Sequence, residues 1–281
     1  MRSTNAFSRR QDGFTLVELV MVIVIMGVIG GIVSVFMKSP IDAYFASARR
    51  AALTDTADTT VRRMARDIQR ALPNSVRTPT SLCVEFIPTK TGGRYRADDT
   101  APGLSFVAPG DTSFNMLGDN GALPSDQRIV SGDVIVVYNL GITGANAYDQ
   151  TNTAAVNGNP TVALAPAETT ITVTSSQPVG SPTFPLASGS NRFQVVPNAE
   201  NIVAYVCNLT TGELHRTAST FAGTSSCLAT GPILARNVTA CNFDYSGSDL
   251  SRNALIRMTL QLTDSGETVT LQHEVHVSNT P

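Results

Sequence analysis

The sequence predicts an α+β fold in which a long N-terminal helix, membrane-spanning in its first half, packs on a C-terminal antiparallel β-sheet head. Three observations lead to this prediction. An apolar run from Phe14 to Met37 contains a single charged side chain, Glu18. An amphipathic stretch then continues as far as Leu72. Beyond Pro73, alternating or apolar segments are separated by Gly, Pro, Asn and Ser clusters, which is typical of strands.

The composition argues against several classes of protein. Hydrophobic residues make up 42% and charged residues 15% of the 281 residues, so the chain is not disordered by composition. The formal net charge is −2 and Trp is absent, whereas nucleic-acid binding needs basic patches and stacking aromatics. The sequence holds no phosphate loop, nucleophile elbow or zinc-protease motif. We therefore expect neither an enzyme nor a protein that holds a cofactor or binds nucleic acid.

The apolar run is long enough to cross a membrane as a helix. Residues 14–37 span roughly 36 Å at about 1.5 Å per residue, against a hydrocarbon thickness of about 30 Å. Three arginines, Arg2, Arg9 and Arg10, precede the run. Positive charge before a membrane helix predicts a cytoplasmic N-terminus, with the rest of the chain on the outer side.

A plain signal anchor explains the length and the arginines but leaves Glu18 without a reason. A charge inside a membrane segment costs about 2.5–3.5 kcal/mol or more, so such a residue indicates a function. An ordinary secretory signal fits poorly because its apolar core is shorter and its small residues follow that core. Here Gly27, Gly30 and Gly31 lie inside the run.

The stretch GFTLVEL, residues 13–19, resembles the prepilin signature of type IV pilins and type II secretion pseudopilins. The resemblance implies a type IV pilin-like fold, cleavage between Gly13 and Phe14 by a membrane prepilin peptidase, and N-methylation of the new Phe14 amine. It also implies that Glu18 is the family's acidic residue near the mature N-terminus. The expected organisation is a cleaved leader (1–13), a transmembrane half-helix (14–37), a periplasmic half-helix (38–72) and a β-rich head (73–281).

The position of Glu18 suggests a role in subunit assembly. Helix N-termini favour negative charge by about 0.3–1 kcal/mol, so the carboxylate is partly compensated within one subunit. An unpaired charge in a low-dielectric environment is costly. A contact between Glu18 of one subunit and the Phe14 amine of its neighbour would therefore select the axial register.

The three glycines of the apolar run can be interpreted in more than one way. Gly27 and Gly31 form a G-x-x-x-G pair that can bring two helices close together. The same glycines and Gly30 also weaken a helix by up to about 1 kcal/mol each, which suits a loosened segment. A third interpretation is that membrane helices ordinarily tolerate glycine and that these residues have no special role. Pro40 is expected to kink the helix, because it lacks an N–H and clashes with the preceding turn.

Beyond Lys38 the chain continues as an amphipathic helix. Apolar residues recur there every three or four positions: Ile41, Tyr44, Phe45, Ala48, Ala52, Ala57, Val61, Met64, Ile68 and Leu72. Asp58 and Arg62 form a helix-supporting pair four residues apart. Residues 39–77 resemble the stem of minor pilins of the mannose-sensitive haemagglutinin (MSHA) type IV pilus.

The resemblance implies a non-catalytic subunit of pilus biogenesis. The implied partners are other pilins or pseudopilins of the same filament, the prepilin peptidase and the inner-membrane assembly platform. The implied location is the bacterial inner membrane, with the head in the periplasm, followed by a pilus or its initiation complex. J-type minor pseudopilins of type II secretion have a similar layout, and a ligand-binding adhesin subunit at the filament tip is a further alternative.

Nine segments of the head have the alternation or apolar character of strands: residues 81–89, 128–140, 169–175, 192–197, 201–209, 232–238, 241–246, 255–263 and 267–279. Two stretches rich in Gly, Asn, Asp, Ala and Thr, residues 98–128 and 143–168, are expected to be long surface loops.

The four cysteines, Cys83, Cys207, Cys227 and Cys241, form no C-x-x-C pair, so a zinc site is not expected. Two disulfides are the better interpretation for a head outside the cytoplasm. Three pairings are possible, and we favour Cys207 with Cys227 and Cys83 with Cys241 because the first pair flanks one local hairpin. The sequence HEVH, residues 273–276, is one residue short of a zinc-protease motif, and its histidines would point to opposite faces of a strand.

Overall fold

The structure, a computed structural model, describes residues 13–97, 103–162, 167–221, 227–245 and 253–281. The expected leader, apart from Gly13, and its three arginines lie outside the described residues. The chain divides into two compact units, one that ends at Ala51 and one that extends from Ala52 to Pro281. Helix α1, Leu16–Gln69, contributes residues to both units.

In the first unit, the part of α1 that ends at Met37 is apolar around the helix except at Glu18 and Ser34, and charged residues follow from Lys38 onward. Every side chain from Phe14 to Met37 is exposed, and the most apolar window of the helix has a mean hydropathy of 2.9. A helix that is apolar on all sides suits a hydrocarbon environment, and this one is long enough to cross a membrane. The helix continues through Pro40, so the proline does not end it. The kink at Pro40 stays a prediction.

In the second unit, α1 buries one face only, as its predicted amphipathic pattern requires. The buried residues recur every three or four positions: Leu53, Ala57, Thr60, Val61, Met64, Ala65 and Ile68. On the solvent side, Arg62 Nε lies 2.7 Å from Asp58 Oδ2, which confirms the predicted pair. The apolar face, rather than helix propensity, therefore decides which side of the helix contacts the head.

Helix α1 ends at Gln69, three residues before the predicted end. Leu72 N donates to Ile87 O (2.7 Å), and Thr89 N donates to Arg70 O (2.9 Å). These bonds to a distant segment replace the bonds that would have continued the helix. Leu72 is nevertheless almost completely buried, as its apolar spacing suggested.

The strands that follow are β1 (Arg77–Thr80), β2 (Cys83–Phe86), β3 (Thr91–Arg94), β4 (Ser113–Leu117), β5 (Val134–Val136), β6 (Thr153–Val156), β7 (Thr161–Val162), β8 (Glu168–Ser175), β9 (Arg192–Val196), β10 (Ile202–Asn208), β11 (Glu213–Ser219), β12 (Ile233–Arg236), β13 (Val238–Asp244), β14 (Asn253–Asp264) and β15 (Glu267–Ser278). Short 3-10 helices cover Asn120–Ala122 and Ala147–Asp149.

Two antiparallel sheets pack on the buried face of α1. One sheet has the order β1-β2-β10-β11-β12, and the other has the order β13-β14-β15. They are joined where Phe243 N donates to Ser81 O (2.8 Å). Both sheets contribute to one apolar core with the helix, for example through Tyr205 of β10 and Met258 of β14. The predicted arrangement of a helix packed on an antiparallel sheet head is confirmed.

The remaining strands form a second layer that the sequence did not predict. Their order is β3-β9-β5-β6-β8-β4, with β7 beside β8. The chain just after β3 pairs with β4, through the Tyr95–Met116 bridge and a bond from Arg96 N to Asn115 O (2.9 Å). These contacts close the six strands into a barrel. Its interior is filled by its own apolar cluster, which includes Phe114 and Phe193.

The barrel is an insertion between two neighbouring strands of the head. Strands β2 and β10 pair directly, with Phe86 opposite Val203, yet the whole barrel lies between them in sequence. Its closure is reinforced by Glu168, a buried carboxylate that accepts hydrogen bonds from Arg96 and from Asn115 Nδ2 (2.9 Å). These bonds hold the pKa of Glu168 below its ordinary value.

The expectation that residues 98–128 and 143–168 are long loops is wrong. The first stretch contains β4, and the second contains β6 and β7; residues 98–102 and 163–166 lie outside the described residues. The small and polar composition misled the prediction because a narrow barrel accepts small side chains inside. Ala154, for example, is completely buried.

All four cysteines are in disulfides, but the favoured pairing is wrong. The structure joins Cys83 to Cys227, with Cα atoms 5.9 Å apart, and Cys207 to Cys241, with Cα atoms 6.4 Å apart. The expected pairs were Cys207 with Cys227 and Cys83 with Cys241.

The reason lies in the alternation of side chains along β10. Cys207 and Tyr205 lie on the same face of β10, and both belong to the core that this sheet forms with α1. Cys83 and Val206 belong to a small cluster on the other face of the same sheet, and Cys227 packs against that cluster. Because successive strand residues point to opposite faces, the sheet itself separates Cys207 from Cys227.

We predict that Ile68→Ala destabilises the head by about 2–5 kcal/mol, because it leaves a cavity in the core between the helix and the sheets. Ile68 is completely buried. Denaturant unfolding of the purified protein measures the change. Gln69→Ala is the matched control, since its side chain is exposed and the change should stay within about 0.5 kcal/mol. Equal effects of the two substitutions would contradict the packing described for this face.

Candidate functional site

The start of α1 is organised by a capping box that the sequence analysis missed. Thr15 stands immediately before the helix, and its Oγ1 accepts a hydrogen bond from Glu18 N (3.3 Å). The Thr15 hydroxyl in turn lies 3.5 Å from Glu18 Oε2, and Thr15 O accepts from Leu19 N (3.2 Å). A Thr followed three residues later by Glu is the sequence pattern of this cap, although here the Glu18 carboxylate contacts the Thr15 hydroxyl rather than the Thr15 backbone N–H. The pattern was visible in the sequence at Thr15-x-x-Glu18.

The cap gives Glu18 a structural task within its own subunit. Its carboxylate lies in the first helical turn, where the backbone N–H groups and the helix dipole favour negative charge. Phe14, the expected new N-terminus, precedes the cap and is 86% exposed. The two groups expected to meet in assembly, the Phe14 amine and the Glu18 carboxylate, therefore lie at the same end of an exposed apolar helix.

The three glycines of the apolar segment lie on open surface. A Cβ atom added at Gly27, Gly30 or Gly31 would meet no atom within 4 Å outside the local helix. Contacts within the chain thus give no reason for glycine at these positions. Ser34 Oγ donates to Gly30 O (2.7 Å), a local bond of the kind that often bends helices. Close helix packing between subunits and local flexibility both stay predictions.

The other end of α1 is held by a polar network formed by Asp67, Tyr205, Arg216 and Glu200, here called the helix-end network. Tyr205 Oη donates to Asp67 Oδ2 (2.5 Å), and Arg216 Nε donates to the same oxygen (3.2 Å). The two terminal nitrogens of Arg216 bind Glu200 at 2.9 and 2.8 Å. The network connects the last turn of the helix to β10, β11 and the end of the inserted barrel.

The electrostatics of the helix-end network follow from these bonds. Hydrogen bonds from Arg216 hold the pKa of Glu200 below its ordinary value. The same bonds raise the pKa of Arg216, which therefore stays charged. Burial, together with the hydrogen bond to Asp67, raises the pKa of Tyr205, so its hydroxyl remains a donor. Glu200, Arg216 and Tyr205 are thus each stabilised in the protonation state that these hydrogen bonds require.

A polar cleft of about 370 Å³ lies beside the helix-end network. Charged groups of both signs line it, including Asp67, Arg70, Lys90, Asp126 and Arg216. Lys90 Nζ is paired with Asp133 Oδ2 at 2.5 Å. The lining includes no histidine, cysteine or serine, and among the described residues no group of three His, Cys, Asp or Glu side chains is placed to hold a metal.

The histidines of the HEVH sequence lie on β15. His276 is exposed, whereas His273 is partly buried on the other face of the strand. This is the arrangement expected for strand residues, and it does not place the two side chains together.

Buried asparagines fasten the barrel to the head. Asn139 Nδ2 donates to Pro73 O (2.7 Å), and Asn139 Oδ1 accepts from Ala147 N (2.8 Å). Asn74 Nδ2 donates to Asn139 O (2.9 Å). An apolar cluster that includes Leu72 and Val136 lies beside these bonds. The barrel is therefore attached to the end of the helical segment through both polar and apolar contacts.

Comparison with known protein families gives one match. The profile of the prokaryotic N-terminal methylation motif matches residues 8–34. The chain carries the N-terminal motif of the type IV prepilin-like family. The match covers Gly13, Phe14, Glu18 and the three glycines. Searches of curated proteins and of solved structures found no significant match. Statements about the head therefore depend on its own residues.

We predict that Glu200→Gln destabilises the protein at pH 7 and that the difference from the unchanged protein shrinks as the pH falls below about 4.5. The folded state lowers the pKa of Glu200, so its contribution is complete above the unfolded pKa and is lost as the pH falls through the folded pKa. Thermal unfolding measured between pH 7 and pH 3 tests this.

Asp126→Asn is the control for the Glu200 experiment, because Asp126 is an exposed carboxyl in the neighbouring cleft. This variant should unfold like the unchanged protein at every pH. A deficit of the Glu200 variant that stays constant down to pH 3 would contradict the role given to the Arg216–Glu200 pair.

Proposed function

We propose that this protein is a minor pilin, a non-catalytic structural subunit in the biogenesis of an MSHA-type type IV pilus, similar to the minor pilin MshO. The observation that carries the proposal is the change of character along α1. A methylation motif leads into an exposed apolar helix, and the same helix then supplies one face of the core of a folded head. This is the layout of a subunit that is held in a membrane and later assembles through its stem. The resemblance of residues 39–77 to the MshO stem supports the finer assignment.

The proposed pathway begins in the bacterial inner membrane. The arginine-containing leader stays in the cytoplasm, residues 14–37 cross the membrane, and the head lies in the periplasm. The prepilin peptidase cleaves between Gly13 and Phe14, and the new Phe14 amine is methylated. The inner-membrane assembly platform then moves the subunit into a pilus or its initiation complex, where it contacts other pilins.

In the filament, Glu18 selects the axial register. The capping box holds its carboxylate at the start of the helix, where it is ready to meet the Phe14 amine of a neighbouring subunit. Stems that slide out of register would leave both charges in an apolar surrounding, which is costly. The apolar side chains of neighbouring stems pack against one another, and the Glu18–Phe14 charge pair selects the axial register in which they pack.

The inserted barrel favours a specialised subunit over the bulk of a filament. It adds a second apolar core to a head that already has its own core with α1. Nothing in the attachment of α1 to the two sheets requires this addition, so the barrel is available for contacts with other molecules. A J-type pseudopilin of type II secretion and a ligand-binding adhesin subunit at the tip would use it in the same way.

We predict that the membrane-extracted protein begins at N-methyl-Phe14, as mass spectrometry of the N-terminal peptide will show. Gly13→Val should block cleavage and leave the leader in place, because a bulky β-branched residue then occupies the cleavage site. Gly30→Ala is the control for a glycine within the helix, where an added Cβ has room, and it should be processed normally. An unmodified Met1 terminus in the unchanged protein would instead indicate a plain signal anchor.

A set of variants at Glu18 separates its two tasks. Gln keeps a side-chain oxygen for the Thr15 hydroxyl but removes the charge. Ala removes both the side-chain contact and the charge, and it keeps the bond from its backbone N–H to Thr15 Oγ1. We predict that Glu18→Gln and Glu18→Ala both reduce incorporation into filaments or initiation complexes at least about tenfold, as measured by cross-linking to other pilins. Thr15→Ala loses the cap but keeps the charge, and it should be reduced far less. Normal incorporation of Glu18→Gln would show that Glu18 acts as a cap rather than as a charge.

A further inference from the structure

Most strand edges in the head are protected against pairing with another chain. An open edge presents unpaired N–H and C=O groups, and proteins usually shorten, bend or close such edges. The barrel is closed. The outer strands of the five-stranded sheet, β1 and β12, have four residues each, and both have an interrupted register. Pro79 lies within β1, and Arg236 ends β12.

Strand β15 has none of these protections. It has twelve residues and makes twelve consecutive pairs with β14, with no shift in register. Among the described strands, β14 is the one that pairs with it. The sequence of β15 contains neither proline nor lysine. It is therefore a long, regular edge at the end of the three-stranded sheet.

The two faces of β15 define what can pair there. On the inner face, Val275 and Val277 are buried, while Val269 and Leu271 remain only partly covered although they pack against the core. On the outer face, the residues are polar and exposed: Thr268, Thr270, Gln272, Glu274 and His276. An added strand must therefore alternate in the same way, with apolar residues inside and polar residues outside.

We propose that β15 pairs antiparallel with β15 of a second copy of this chain, which joins two three-stranded sheets into one six-stranded sheet. Along residues 272–278 the strand itself has this alternation except at His273, which is partly buried on the inner face. With the symmetry axis at Val275, Glu274 of each chain faces His276 of the second copy. With this axis, residues 272–278 of the two copies pair, so that on the inner face Val275 faces Val275 and His273 faces Val277.

Charge complementarity favours this second copy as the occupant. The axis at Val275 places Glu274 of each copy directly across from His276 of the other, so two Glu–His contacts form. Residues of opposite charge, or residues that hydrogen-bond, stabilise an antiparallel pair when they lie directly across from each other. Glu274 is already held on the outer face by Arg257 of β14, whose Nε donates to Glu274 Oε1 at 2.9 Å. The carboxylate is thus positioned before the second strand arrives. The pairing involves the head alone and does not depend on the proposed place in a pilus.

The test is hydrogen exchange of the full chain in detergent at low and high protein concentration. We expect exchange in a peptide that covers residues 272–278 to slow about tenfold or more at the high concentration, because these are the residues that the axis at Val275 pairs. His276→Glu places a second carboxylate opposite Glu274 on each side of the axis, and it should abolish this concentration dependence. The second substitution Glu274→Lys, added to His276→Glu, restores opposite charges and should restore the protection.

Thr239→Glu is the matched control, because it adds the same charge to an exposed position on β13, away from the edge. It should keep the concentration-dependent protection. The proposal is overturned if the unchanged protein shows no such protection at residues 272–278, or if His276→Glu leaves it intact. Protection confined to α1 would show association through the apolar helices instead and would also overturn it.

Discussion

The fold depends on the burial of one face of the second part of α1 against two sheets. Without this contact, each sheet would expose an apolar face, and neither could be stable alone. The helix residues in the core are small or flexible at several positions, such as Ala57, Ala65 and Met64, which lets the helix approach the strands closely. The helix-end network joins the end of this helix to β10 and β11. Both disulfides start from strands of the sheet that the helix covers, and the barrel packs beside Leu72, just after the helix ends.

The two parts of α1 differ in which of their faces are apolar, and each pattern suits a different environment. The first part has no polar face, so it is suited to lipid or to the stems of other subunits. The second part has an apolar face toward the sheets and a charged face toward solvent, with the Asp58–Arg62 pair on that side. The polar groups at the two ends, the capping box at Thr15 and the helix-end network at Asp67, define where the helix begins and what it connects.

The inserted barrel and the open edge of β15 give the head two surfaces with different physical character. The six barrel strands pair with one another in a closed ring, and β7 beside β8 has only two residues, so contacts of the barrel with other molecules depend mainly on side chains and loops. Among the described strands, β14 alone pairs with β15, so one backbone edge of β15 faces outward from the sheet. The core beside this edge is only partly covered at Val269 and Leu271. The family match covers residues 8–34, so the proposals for these two surfaces rest on the residues of the head itself.

Local patterns in the sequence were sufficient for several elements. The apolar run, the helical spacing from Ala57 to Ile68 and the alternation in β14 and β15 each express a period that short-range geometry imposes. The capping box at Thr15 and Glu18 was also present in the sequence, although it was overlooked. For the candidate site, the motif around Gly13 and Phe14 carries the prediction of processing almost alone.

What the sequence by itself determined is therefore an apolar helix long enough to cross a membrane, the methylation motif at its start and the α+β class, because these depend on residues close together in the chain. Only the tertiary structure decided the disulfide pairing, the closed barrel and which strand is left at an edge. Cys207 and Cys227 are near each other in sequence but lie on opposite faces of a sheet. Pairing across a sheet depends on contacts between distant segments, and a local pattern does not specify which distant segments meet.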